Sequence, residues 1–317
     1  LMGHVGSHPQ ITEYDVNGQF FGWGVQPSAM LSDIKRRLRY GKEHQVTGFL
    51  ARTDWEGVQD WTCFDNLNMV NLYAIAAYAE NENTSEEEIY LRWLQGEHML
   101  DERLSPGQLK TCVQTVKEIM DETWPIVEKT NFVNGCLFSN DSCMHLTPEQ
   151  FTFIGGTHHS LSEWDPEKKD ALEMSVENIA RIIEDKEEAH VKCEKLVDRV
   201  VAGNMGLTED AYEKMKEHFE FMRWYVRGFR LTARGYCFGR YVTEKNAADM
   251  LVEGKTANVL LEETIHEMEK YREGLLQTTF IKKYPFDAQL NPERVAFYTN
   301  SLKRMLAQGK KVEIVED

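Results

Sequence analysis

Two carboxylates, Glu13 and Asp15, stand two positions apart in the stretch His8-Pro9-Gln10-Ile11-Thr12-Glu13-Tyr14-Asp15. Its alternation and its β-branched and aromatic residues predict a strand, which puts both carboxylates on one face. At the carboxyl end of a barrel strand such a pair can serve as base, nucleophile or metal ligand. A solvated strand end is the competing reading. A second cluster, Arg52-Thr53-Asp54-Trp55-Glu56-Gly57, lies where the chain leaves another predicted strand, Val46 to Arg52. A guanidinium can hold the carboxylate of an acidic sugar through two parallel hydrogen bonds, and an indole offers a flat apolar face for a sugar ring. Trp23, Trp55 and Trp61 all fall in predicted loops near this strand-end surface, with core packing as the alternative.

The elements that must position these groups can be read in order. After the first strand comes a loop rich in glycine and aromatic residues, Gly18 to Gly24. Pro27 and Ser28 then open a helix through Met30, Leu31, Ile34, Leu38 and Tyr40, at helical spacing. The order strand, helix, strand implies two parallel strands with a crossover helix. Beyond that, strand signals largely stop and helix starts recur. Ser85 with Glu88, Ser105-Pro106 with Gln108, and Thr147-Pro148 with Gln150 have the pattern of N-terminal caps. Asp165-Pro166 and Asn291-Pro292 repeat the pairing, and Thr208 and Thr243 read as plainer caps. Long helices are expected from about Glu167 to Val201, Glu209 to Tyr241 and Glu244 to Leu275. The fold class is therefore mainly α. Two parallel strands alone leave unpaired edges, so either other parts of the chain complete the sheet or, the preferred reading, the chain is the tail of something larger.

Composition narrows the partners. A net charge of −16 over 317 residues repels phosphate backbones and anionic lipid surfaces, so neither nucleic acid nor membrane is expected. The basic runs Lys35, Arg36, Arg37 and Arg39, and Lys282 with Lys283, read as solvated faces. There is no run of ~18 apolar residues and no signal peptide, which favours the cytoplasm; a start at Leu1 without an initiator Met leaves export open. The cysteines at positions 63, 112, 136, 143, 193 and 237 form no CxxC pair and read as buried thiols, with Cys136 and Cys143 the one pair worth testing for a disulfide. His158-His159 lacks a ligand-spaced partner, so no metal is expected, and no phosphate-binding glycine loop or serine elbow points to a cofactor or nucleophile. His218, Phe219, Phe221, Trp224, Tyr225, Phe229, Tyr236 and Phe238 crowd one predicted helix, as core residues do.

The stretch from Ile11 through Glu13, Asp15 and Gln19 to Gly22 resembles the late catalytic barrel of the α-glucuronidases of glycoside hydrolase family 67. The resemblance resumes at Thr47 to Gly57, then at Asn71 to Ala79, and at Thr84 to Ile89 with Trp93. It implies the last βα units of a (β/α)8 barrel over residues 1–66 and a helical C-terminal domain over 67–317, which would brace the barrel and offer a homodimer face. It further implies hydrolysis of a glycan, with Glu13, Asp15 and Gln19 orienting or activating water and Trp23, Arg52, Asp54 and Trp55 holding the sugar. Gln19 stands where the family pattern has a catalytic-base Glu, and an amide cannot take a proton from water. The family's general acid lies on earlier barrel strands. An inverting pair stands roughly 6.5–9.5 Å apart, so half of it at most falls here. The non-enzymatic alternative is a helical carbohydrate-binding or interaction module.

Overall fold

A computed structural model of the chain describes residues 12–14, 26–55, 58–133, 136–137, 148, 175–245, 250–252, 254–279 and 290–313. Among these, helix dominates. The elements in order are β1 (Thr12–Tyr14), α1 (Leu31–Glu43), β2 (Gly48–Leu50), β3 (Asp54–Trp55), β4 (Val58–Thr62), α2 (Met69–Glu80), α3 (Glu86–Gly96), α4 (Pro106–Asp121) and α5 (Thr123–Asn131). They continue with β5 (Phe132–Val133), β6 (Cys136–Leu137), α6 (Val176–Val201), α7 (Glu209–Glu244), α8 (Ala257–Gln277) and α9 (Pro292–Glu313).

β1 and β2 pair in parallel across α1, as the strand, helix, strand order requires, with Thr12 opposite Gly48, Glu13 opposite Phe49 and Tyr14 opposite Leu50. Two antiparallel hairpins, β3–β4 and β5–β6, were not expected from the sequence. Their strands run from two to five residues, too short to show a period. The first of them corrects the expected loop: Asp54 and Trp55 lie on β3, and Trp61 on β4.

The chain forms two compact units. One comprises Leu1–Val127 with Cys193–Met222, and the other Glu128–Lys192 with Arg223–Asp317, so the expected boundary after residue 66 falls inside the first. In the first unit α1, α2, α3 and α4 pack in sequence order, each on the next. α2, apolar nearly all round, buries Val70, Ala74, Ile75 and Tyr78. α3 adds Ile89, Tyr90 and Trp93, and α4 adds Val116 and Ile119, all essentially without exposure.

The start of α1 departs from expectation. Residues 26–30 are non-helical and buried, and the helix begins only at Leu31. A buried backbone without a ladder must find other partners, and side-chain amides supply them. Asn68 Oδ1 accepts from the Ser28 N–H at 2.7 Å and Asn71 Oδ1 from the Met30 N–H at 2.9 Å. Their Nδ2 groups donate to the Gln26 and Ser28 carbonyls, each at 2.9 Å, and Thr123 Oγ1 accepts from the Ala29 N–H at 2.8 Å. This clamp fixes the strand pair's crossover helix to α2.

Local caps follow the sequence closely. Ser85 Oγ accepts from the Glu88 N–H at 3.2 Å, and Ser105 with Gln108 forms a reciprocal capping box behind Pro106. Thr208 Oγ1 accepts from the Ala211 N–H at 3.4 Å, and Asn291 Oδ1 from the Glu293 N–H at 2.9 Å. Thr243 does not cap. It lies near the end of α7, its hydroxyl donating to the Gly239 and Arg240 carbonyls, and the next helix starts at Ala257. Thr147, Gln150, Asp165-Pro166, His158-His159 and Cys143 lie outside the described residues.

In the second unit α8 packs on α9. α9 also lies close to α7, because Gly235 and Gly239 leave room for it. A Cβ on Gly235 would meet Leu302 Cδ1 at 2.7 Å, and one on Gly239 would meet Met305 Sδ at 3.1 Å. Tyr298 Oη donates to the Thr232 carbonyl at 3.0 Å in the same seam. Cys63, Cys112, Cys193 and Cys237 are buried thiols, as expected.

Candidate functional site at the ends of the parallel strands

Parallel strands end at the same edge of a sheet. The register therefore brings Glu13, near the carboxyl end of β1, to the same end as Arg52, two residues beyond β2. Arg52 is half-buried. Asp54 and Trp55 follow on β3, where the chain folds back: Asp54 pairs with Thr62 and Trp55 with Val58, with an irregularity between them. The Cys63 N–H donates to the Thr53 carbonyl at 2.7 Å and closes the hairpin. Asp15, Gln19 and Trp23 lie outside the described residues.

The strand pair is only partly covered. Phe49 is 39% exposed and Leu50 47%. Consecutive strand residues point to opposite faces, so both faces of β2 are open at its carboxyl end. Beside Phe49 lies a cavity of about 340 Å³ lined also by Lys35, Arg39, Lys42, Tyr78 and Glu82. Glu82 holds the rim together: Arg39 Nε approaches it to 2.7 Å and Lys42 Nζ to 3.9 Å. Lys35 Nζ stands 5.2 Å from the Tyr78 ring centre. Burial, with the carboxylate of Glu86 nearby, pushes the Tyr78 phenol up to about 12, so it stays protonated.

Comparison of the chain with models of protein families, with curated proteins and with solved structures gives no match. The reading of function therefore rests on residues and geometry.

A larger cleft of about 660 Å³ in the first unit is lined by His98, Asp101, Arg103, Leu104, Thr208 and Glu209, among others. Asp101 and Arg103 are matched to each other within the cleft wall. Arg103 Nε donates to Asp101 Oδ1 at 2.9 Å and Nη2 to Oδ2 at 2.6 Å, which holds the Asp101 carboxyl down to about 2. Gly206 adopts φ +90° there, with Leu104 3.2 Å from where a Cβ would sit. The Asn204 to Leu207 turn and the Asp101 to Leu104 turn build this wall, the Asp101 N–H donating to the Gly206 carbonyl at 3.1 Å.

Two buried bases in the second unit escaped the sequence reading. Lys186 on α6 is 1% exposed, and its Nζ donates to the Lys129 and Phe132 carbonyls where α5 ends. Burial lowers its pKa to about 7. A signal was present: Ile182, Lys186, Ala189 and Cys193 follow helical core spacing, and the lysine occupies an apolar position. His190, one turn on, is lowered to about 4 by burial and by Arg230. Among the described residues no group of His, Cys, Asp and Glu is arranged to hold a metal ion, and no helix is long and apolar enough to cross a membrane.

Proposed function

We propose that this chain is the C-terminal region of a glycoside hydrolase that cleaves a uronic-acid-containing glycan, water attacking the anomeric carbon under acid/base catalysis. One observation carries the reading: a parallel strand–helix–strand unit gathers Glu13 and the Arg52 to Trp55 segment at the carboxyl ends of its strands. That edge is where (β/α)8 enzymes keep their chemistry. Among the described residues β1 and β2 pair only with each other, and their outer edges are where further strands could add. In this reading Glu13 and Asp15, with Gln19, orient or activate the water, and Trp23, Arg52, Asp54 and Trp55 hold the sugar. Arg52 favours a sugar carboxylate because its fork matches two oxygens at once. The general acid comes from barrel strands on a longer polypeptide.

The test uses that longer enzyme. Glu13→Ala and Asp15→Ala are each expected to abolish hydrolysis of glucuronides while leaving the melting temperature nearly unchanged. Retained activity with a large loss of stability would make both residues structural and sink the assignment. A second reading, a non-catalytic carbohydrate-binding or interaction domain, is favoured by Gln19, whose amide cannot act as a base.

A further inference from the structure

Helix α7 carries Arg223, Arg227, Arg230 and Arg234 within an arc of about 60°, along ~16 Å of its axis. Four guanidiniums side by side repel one another unless matched. Arg230 is matched: it bridges Glu187 on α6 and Glu267 on α8, the latter at 3.0 Å. Among the described residues Arg227 and Arg234 have neither a hydrogen bond nor a carboxylate within ion-pair distance.

Both are seated on aromatic rings instead. Arg227 Cζ lies 5.7 Å from the Trp224 ring centre and 5.8 Å from that of Tyr271, and Arg234 Cζ lies 5.7 Å from that of Phe238. The Arg227 platform is fixed. Tyr271 Oη donates to the Trp224 carbonyl at 2.9 Å, and Trp224 packs where a Cβ on Gly274 would come within 2.7 Å. The two arginines are half-buried, and Arg234 Nε is shielded from solvent without an acceptor. His190, close enough to Arg227 to feel its charge, is held neutral by burial and adds no further positive charge there.

A guanidinium held on aromatic rings with its N–H edge unmatched is a preorganised receptor for an oxyanion. Arg227 and Arg234 are two helical turns apart, ~10.5 Å along the axis. The neutralised Arg230 lies between them. That spacing suits charges distributed along a chain better than one compact anion. We propose that this face of α7 binds an acidic polysaccharide, with carboxylates of separate uronic acid units on Arg227 and Arg234. The choice of ligand rests on the hydrolase reading, to which it adds a holding point for the polymer that does no chemistry.

The experiment is calorimetric titration of the whole chain with an oligogalacturonate, a neutral gluco-oligosaccharide of equal length, glucuronate and inorganic phosphate. The oligogalacturonate is expected to bind, more weakly as salt rises, and the neutral oligomer not at all. Arg227→Gln and Arg234→Gln should each weaken binding about tenfold, the loss of one charge-assisted contact. Arg227→Lys keeps charge and packing and should recover part of the loss, which separates recognition from misfolding. Unchanged affinity in both glutamine variants, equal binding of the neutral oligomer, or phosphate matching the oligogalacturonate would each overturn the proposal. Hydrolysis of glucuronides by the longer enzyme, with unchanged binding in the variants, would remove this site alone. Arginine-dependent binding of oligogalacturonate, with no hydrolysis by the longer enzyme, would remove the hydrolase reading and leave the α7 site standing.

Discussion

Lys186 is the residue whose environment contradicts its chemistry most. An ammonium is costly to bury, whereas a neutral amine still has N–H donors for the carbonyls of Lys129 and Phe132, to which Nζ donates. Asp185, Cys237 and Lys129 are the charged or titratable groups that act on it. Its folded pKa of about 7 lies below the unfolded value of ~10.4. Between those values the unfolded chain binds the proton and the folded chain does not. Stability therefore rises with pH across that interval, and the destabilising contribution is fully present below pH ~7. Cys237, pushed up to about 12 by burial, acts in the opposite direction above its unfolded value near ~8.5. The comparison is cleanest between pH ~7 and ~8.5. Denaturant unfolding in that range should show stability rising with pH in the wild type and a flatter dependence in Lys186→Met. Parallel pH dependences in the two proteins would mean Lys186 is charged in the fold.

Among the elements, α1 shows how a local signal can be outvoted. Pro27 and Ser28 are good helix-start residues, yet the helix waits until Leu31. The five residues before it are held non-helical by Asn68, Asn71 and Thr123, which lie 40 to 94 positions away in sequence. Such contacts have no short-range signature. Asn71→Ala strands two buried backbone groups, the Met30 N–H and the Ser28 carbonyl. It should cost about 2–4 kcal/mol, measurable as a fall in the denaturant midpoint with little change in slope. A loss below about 0.5 kcal/mol would show that water replaces the amide and that the clamp is dispensable. The caps at Ser85, Ser105 and Asn291 sit at the other extreme, because donor and acceptor lie within three residues. Thr243 failed as a cap because its hydroxyl can equally bond back one turn inside a helix.

For the whole molecule the open sheet carries the consequence. A two-stranded parallel pair with Phe49 and Leu50 exposed is stabilised chiefly by what it leans on. If further strands cover it in a longer enzyme, the amides of residues 48–50 should exchange with deuterium quickly in this chain and many-fold more slowly in the longer protein. Equal exchange in both would mean that no strand is added there, and the barrel reading would fall. Charge acts at this scale too. With −16 overall, the unmatched arginines of α7 stand in a predominantly negative field, so any anion they take must be held by short-range contacts rather than drawn from afar.

What the sequence determined by itself is whatever depends on near neighbours. The helical character, the N-terminal caps and the parallel strand–helix–strand order were legible because periodicity and capping act over a few residues. So was the parallel pairing of β1 with β2, which follows from the connection. The tertiary structure alone decided the delayed start of α1, the lysine buried in an apolar position, and which arginines of α7 are matched. Each turns on partners distant in sequence: Asn71 for Met30, the Phe132 carbonyl for Lys186, and Glu187 and Glu267 for Arg230. Burial and charge pairing are properties of the packed chain, and no local spacing encodes them.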